Sequence, residues 1–161
     1  EALFNRLQNQ ILSARVLDVF AGSGALGIEA ISRGARQSIL IEKNKDVLEI
    51  LKANLRKLGV EAQCKIMVKD AYRLRPNPPG SGFDVILLDP PFPDYSGPQS
   101  KPWTLATQLA SGAWLNAGGL LIMEYPSREE IAAPPPGLEA QEGRRYGDTS
   151  LIFWSKTKSS S

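Results

Sequence analysis

From Arg15 onward, short apolar runs alternate with stretches of helical periodicity. That rhythm predicts a parallel sheet with helices packed on its faces. Residues 16–20 form an apolar run broken by Asp18, then come glycines and a helix over residues 25–33 that Gly34 ends. Residues 37–41 read as the second strand. Residues 46–58 read as a helix with Val47, Leu51, Leu55 and Leu58 on one face, Asp46 and Glu49 as a capping box, and Gly59 closing it. Residues 63–69 alternate around Cys64, Ile66 and Val68 as a third strand, and residues 83–88 are apolar enough for a central fourth.

The second half is looser. Residues 76–82 make a turn-rich loop, and residues 90–102 a longer one with five prolines and Gly97. Loops of that length in compact domains tend to carry function. A helix is expected over residues 103–115, weakened by Gly112, and a fifth strand over 120–125. Residues 134–137 separate two last strands, 138–144 and 149–155, whose Gly147-Asp148 turn predicts an antiparallel hairpin. The reading is one domain over residues 1–155 followed by a frayed polar tail, 156–161.

Composition narrows the chemistry. At 161 residues with 42% hydrophobic and 22% charged content, the chain resembles an ordinary globular domain. The absence of histidine excludes a histidine triad, a histidine general base and histidine-ligated zinc, and one cysteine makes neither a disulfide nor a metal cluster. The start of the chain lacks a secretory pattern and no apolar run is long enough to cross a bilayer, so a soluble, cytoplasmic protein is expected. A net charge of +2 is too small to mark a phosphate-coating protein.

Four motifs carry the candidate chemistry. The run from Asp18 through Gly22-Ser23-Gly24 to Gly27 sets glycines where a strand turns into a helix, so backbone can approach a ligand beside a helix N-terminus. It also matches G-x-G-x-x-G, which suits NAD as well as other adenosine cofactors. Asp18 could hold a ligand amine or cap the turn. Glu42 follows Gly22 by 20 residues, where an acid would meet ribose hydroxyls, and Asp70 follows the third strand, as an acceptor for an adenine amine or a helix cap.

Asp89-Pro90-Pro91-Phe92 directly follows the fourth strand. Its prolines fix the loop, Asp89 and the Pro90 carbonyl offer acceptors to an exocyclic base amine, and Phe92 offers a ring for stacking. Such an amine is a poor nucleophile, and hydrogen bonds that aim it and take its proton address that weakness.

This order of motifs resembles the class I methyltransferases with a D-P-P-F sequence, and more narrowly the RsmD-type ribosomal-RNA guanine-N2 methyltransferases. The likeness runs from Glu1-Ala-Leu-Phe-Asn5 through residues 20–34 to Arg145-Tyr-Gly-Asp-Thr149. The resemblance implies a Rossmann-like α/β three-layer sandwich whose seven-stranded, mostly parallel sheet ends in an antiparallel hairpin. It implies S-adenosylmethionine, with S-adenosylhomocysteine as product and no metal. By the match Asp18, Phe20, Ala21, Gly22, Ser23, Gly24, Glu42, Lys43, Asp70 and Ala71 hold the cofactor, and Asp89, Pro90 and Phe92 the target base. The implied partner is 16S ribosomal RNA, free or in an assembled small subunit, met by a monomer. Family members usually carry a basic, arginine-rich segment ahead of the residues matching Glu1, which is absent from this sequence. Adenine N6 or cytosine N4 of DNA or RNA, an NAD-dependent oxidoreductase, and a non-catalytic RNA-binding scaffold are the rival readings. Cys64 is expected to be buried, Trp103, Trp114 and Trp154 to be core, and Lys43, Lys45, Arg73, Arg75, Lys101, Arg144 and Arg145 to be mostly solvated.

Overall fold

The computed structural model describes residues 2–158. The alternation of the first half folds into β1 (Arg15–Asp18), β2 (Gln37–Ile41) and β3 (Cys64–Met67), all parallel, with Leu17 beside Ile39 and Leu40 beside Ile66. Two helices follow the expected crossovers, α3 (Ala25–Ser32) and α4 (Lys45–Leu58). Leu48, Leu51 and Leu55 of α4 pack with Leu40 and Cys64 into one apolar cluster.

The start of α4 corrects the expected capping box. Asn44 is the cap, its Oδ1 accepting from the N–H groups of Asp46 at 3.0 Å and Val47 at 3.2 Å. Asp46 lies inside the first turn, where its charge suits the helix N-terminus. The buried face accordingly centres on Leu48, Leu51 and Leu55, and Leu58 is 57% exposed. Two short helices before β1, α1 (Ala2–Arg6) and α2 (Gln8–Ile11), were not expected. They bury Phe4, Leu7 and Ile11, and Arg33 at the end of α3 holds them by donating to Asn5 Oδ1 at 3.0 Å.

The chain divides into two compact units, Glu1–Leu74 and Arg75–Ser161. The second unit contains β4 (Phe83–Leu88) parallel to β5 (Leu115–Pro126), with β7 (Thr149–Lys156) antiparallel to both β5 and β6 (Leu138–Tyr146). Helix α5 (Lys101–Ser111) begins two residues earlier and ends four earlier than the periodicity suggested. Pro102 sits in its first turn, where a missing N–H costs nothing, and at Gly112 the chain leaves the helix with its N–H on the Gln108 carbonyl. Leu115 then opens β5, whose register against β4 slips between the Phe83–Leu115 and Val85–Leu120 pairs. Only the part after that slip shows an unbroken apolar pattern, which is why residue 120 looked like the strand's start.

All seven strands form one mixed sheet. Lys156, expected in the tail, is the last residue of β7, and its ammonium donates to the Gly112 and Leu115 carbonyls at 2.8 and 2.9 Å. Residues 159–161 of the expected tail lie outside the described residues, as does Glu1. No helix among the described residues is long and apolar enough to cross a membrane.

Candidate active site

Strand β1 ends on Asp18, and the chain turns through residues 19–24 into α3. Gly24 is the cap residue at φ +89°, a left-handed conformation natural to glycine, and a Cβ there would lie 2.5 Å from Leu51 Cδ1. No side chain caps α3 at that position. Asp18 does so from the strand instead: its Oδ2 accepts from the Gly27 N–H at 3.0 Å, satisfying a first-turn donor and complementing the helix dipole. Asp18 is 1% exposed. The capping contact open to it in the sequence is thus made by Oδ2. The loop is tied further by Ala21 N–H to the Ile41 carbonyl at 2.9 Å and by Asn54 Nδ2 to the Ser23 carbonyl at 2.9 Å. Gly22 differs from Gly24, because a Cβ there would meet no atom within 4 Å. Its backbone faces open space.

Glu42 directly follows β2. Its Oε1 accepts from the Gly22 N–H at 3.0 Å, and its Oε2 from the N–H groups of Lys43 and Asn44, each at 3.0 Å. Three donors therefore fix the carboxylate and bind it to the glycine loop, and a carboxylate with about four lone-pair sites keeps room for one more donor. Asp70 begins a single 3-10 turn, Ala71–Arg73, its Oδ1 accepting from the Tyr72 N–H at 3.0 Å. Its Oδ2 has Lys43 Nζ and Arg73 Nε each at 3.9 Å, so Lys43 belongs to the Asp70 charge cluster. Ala71 is buried, and the Phe20 ring lies 5.4 Å from that of Tyr72. Asp18, Phe20 to Gly24, Glu42, Lys43, Asp70 and Ala71 all fall within the first unit.

The D-P-P-F residues stand at the carboxyl end of β4 in the second unit. Asp89 is solvent-accessible, Pro90 is buried, and Phe92 opens a 3-10 turn, Phe92–Asp94, half-buried. The Phe92 ring meets Tyr95 edge-on at 6.5 Å, Tyr95 packs on buried Trp103 at 6.1 Å, and Tyr95 OH donates to the Glu124 carbonyl at 2.7 Å. Sequence reasoning missed Glu124. It stands level with Asp89 on the neighbouring strand, and the two carboxyls act on each other. Protein crowding raises Asp89 above the usual carboxylate range despite its open edge. Glu124 is pushed up to about 7 by desolvation first and then by the charge of Asp89. A signal for Glu124 existed: it is the one charged residue in the run from Leu120 to Pro126.

The three tryptophans are core, each at most 2% exposed. Cys64 is buried, and burial pushes its thiol up, away from nucleophilic character. No group of acids and cysteines that could hold a metal occurs among the described residues.

A family model described as "Conserved hypothetical protein 95" matches residues 1–155. Ribosomal RNA small subunit methyltransferase D of Buchnera aphidicola (subsp. Acyrthosiphon pisum) is 35% identical over 83% of this chain and 67% of that protein. The protein of the same description from Haemophilus influenzae is 33% identical over 83% and 68%. A solved structure of a candidate methylase from Haemophilus influenzae, HI0767, superimposes with a TM-score of 0.82 at 28% identity, covering 98% of this chain and 95% of that one. These matches set aside the oxidoreductase reading of the glycine motif. The chain belongs to this family, the RsmD-type RNA methyltransferases, and has their Rossmann-like class I fold.

Proposed function

We propose that this protein transfers the methyl group of S-adenosylmethionine to the exocyclic N2 of a guanine in small-subunit ribosomal RNA. The observation that carries the reading is Asp89: an accessible carboxylate at a strand's carboxyl end, in a proline-stiffened turn whose Phe92 ring is braced by Tyr95. The first unit fits the cofactor. Gly22 leaves open space above the loop, Glu42 is oriented toward that glycine, and Asp70 keeps one oxygen with only long-range ion pairs. The sulfonium supplies an activated methyl group when bound. Glu42 would receive a ribose hydroxyl on its remaining lone pair, and Asp70 the adenine amine.

Asp89 and the Pro90 carbonyl would hold the target amine by its N–H bonds, and Asp89 would take up its proton. Phe92 would stack on the base, which must be splayed out of any pairing first. The substrate class rests on the relatives named for the small subunit.

The test is incubation with methyl-labelled S-adenosylmethionine and, separately, bare ribosomal RNA, small subunits, transfer RNA and DNA, followed by digestion. Label in N2-methylguanosine from ribosomal RNA or subunits is expected. Label in N6-methyladenine or N4-methylcytosine would overturn the guanine assignment. Cofactor binding with no label on any substrate would mark a non-catalytic scaffold.

A further inference from the structure

Strands β4 and β5 both run out toward the D-P-P-F turn. The parallel register that sets Leu88 beside Met123 puts the next residues, Asp89 and Glu124, level with each other. Level positions on neighbouring parallel strands put both side chains on the same face, close enough for the charge of Asp89 to act on Glu124. Two carboxyls that share a site favour one proton between them. The backbone of Glu124 is in turn fixed by Tyr95 OH, the same residue that braces Phe92. We infer that Glu124 is a positioning residue for methyl transfer: protonated, it donates to one oxygen of Asp89 and so presents the other, ionised and oriented, to the target amine.

The proposal rests on the amine-methylating function above. In the transfer the amine nitrogen bonds the methyl carbon, the carbon–sulfur pair returns to sulfur, and the N–H proton passes to Asp89. Glu124 steadies the acceptor and gives up nothing. The direction of its titration agrees, because desolvation and the neighbouring Asp89 charge push it up to about 7. Other titratable groups on the elements around it do not supply that effect. Leu151 is its register partner on β7, Lys156 ends that strand opposite the start of β5, and Asp84 lies near the far end of β4. Lys101 starts α5, Glu129 accepts from the Gly97 N–H, and Asp94, Tyr95, Tyr125, Arg128 and Glu130 complete the surrounding set. Of these and Asp89, the charge that acts on Glu124 is Asp89's.

As pH rises through about 7, Glu124 loses its proton, the hydrogen bond goes and two like charges face each other. Wild-type kcat/KM should therefore fall on the alkaline side with a midpoint near that value. Glu124→Gln keeps an N–H donor that does not titrate, so it should retain turnover within about threefold and lose the alkaline fall. Glu124→Ala has no donor and should lower kcat about tenfold or more with KM and cofactor affinity little changed. An alkaline fall that persists in Glu124→Gln, or equal kcat in the Gln and Ala variants, would overturn the proposal. Carboxyl-carbon NMR titration of the substrate-free protein separates this from the choice of base: Glu124 titrating in the ordinary glutamate range would refute the pair whichever amine is methylated.

Discussion

Glu42→Gln tests how the cofactor half of the site is built. The native carboxylate takes three backbone N–H groups, Gly22 on one oxygen and Lys43 with Asn44 on the other, all at 3.0 Å. An amide has one acceptor oxygen. It would face the Lys43–Asn44 pair and keep two bonds, leaving its NH2 against the Gly22 N–H, donor to donor. A hydrogen bond to a charged group is worth about 1.5–3 kcal/mol, and partial water access at Gly22 brings the expected stability loss to about 1–2 kcal/mol. The ribose loses its anionic acceptor at the same time, so affinity for S-adenosylhomocysteine should fall about 5- to 30-fold, the equivalent of about 1–2 kcal/mol.

Calorimetric titration and urea unfolding read the two effects separately. Asn54→Ala is the control, since it removes the bond to the Ser23 carbonyl and loosens the loop without touching Glu42. It should cost some stability and leave cofactor affinity within about twofold. If Glu42→Gln bound the cofactor as tightly as wild type, Glu42 would be a loop anchor only. If Asn54→Ala lost as much affinity as Glu42→Gln, loop order would explain the effect.

Other outcomes follow from particular contacts. Gly27→Ala would drive a methyl into Leu40 Cδ2, which is fully buried, and should lower stability by about 1–3 kcal/mol in urea unfolding. Asp89→Ala should leave cofactor affinity within a few-fold while single-turnover methyl transfer drops by about 10²–10⁴; proportional loss of both would make Asp89 a cofactor ligand. Phe92→Leu should weaken RNA capture by about 1–3 kcal/mol, measured by filter binding, with Phe92→Tyr close to wild type. Asn44→Ala should cost about 1 kcal/mol of thermal stability through loss of the α4 cap.

The crossover helices were legible from their 3.6 period, and β2 and β4, buried on both faces, from continuous apolar runs that bounded both to the residue. The misses have local causes. Asn44 outcompeted Asp46 as a cap because its amide oxygen reaches two first-turn donors from outside the helix. The opening residues of β5 are hidden by Asn116 to Gly119, where the register slips. Phe4, Leu7 and Ile11 are too few to display a period, yet they are buried, and Arg33 holds that segment by its bond to Asn5, 28 residues away. In the site, positions of acids after strands were visible, but their partners were not. Nothing in the sequence says that Asp18 bonds Gly27 or that Asp89 stands level with Glu124, since both depend on which backbone levels the fold brings together.

Those partners explain how one set of side chains serves several ends. In the first unit the parallel strands β1 to β3, and in the second the parallel pair β4 and β5, each have an acid at, near or just beyond the carboxyl end, namely Asp18, Glu42, Asp70, Asp89 and Glu124. Open α/β sheets bind ligands at that end, so acids there are candidates by position alone. Hydrogen bonding sorts them. Asp18 is buried with a helix N–H on one oxygen, and Glu42 takes three backbone donors and keeps room for one more, so both are held in place. Asp70 uses one oxygen for its own turn and keeps the other in a loose basic cluster. Only Asp89 and Glu124 of the five face another carboxyl, and on the proposal above that pair shares a proton. On the proposed function, Glu42 and Asp70 suit accepting from cofactor groups whose protonation does not change, whereas the Asp89–Glu124 pair suits a step in which an amine must lose a proton.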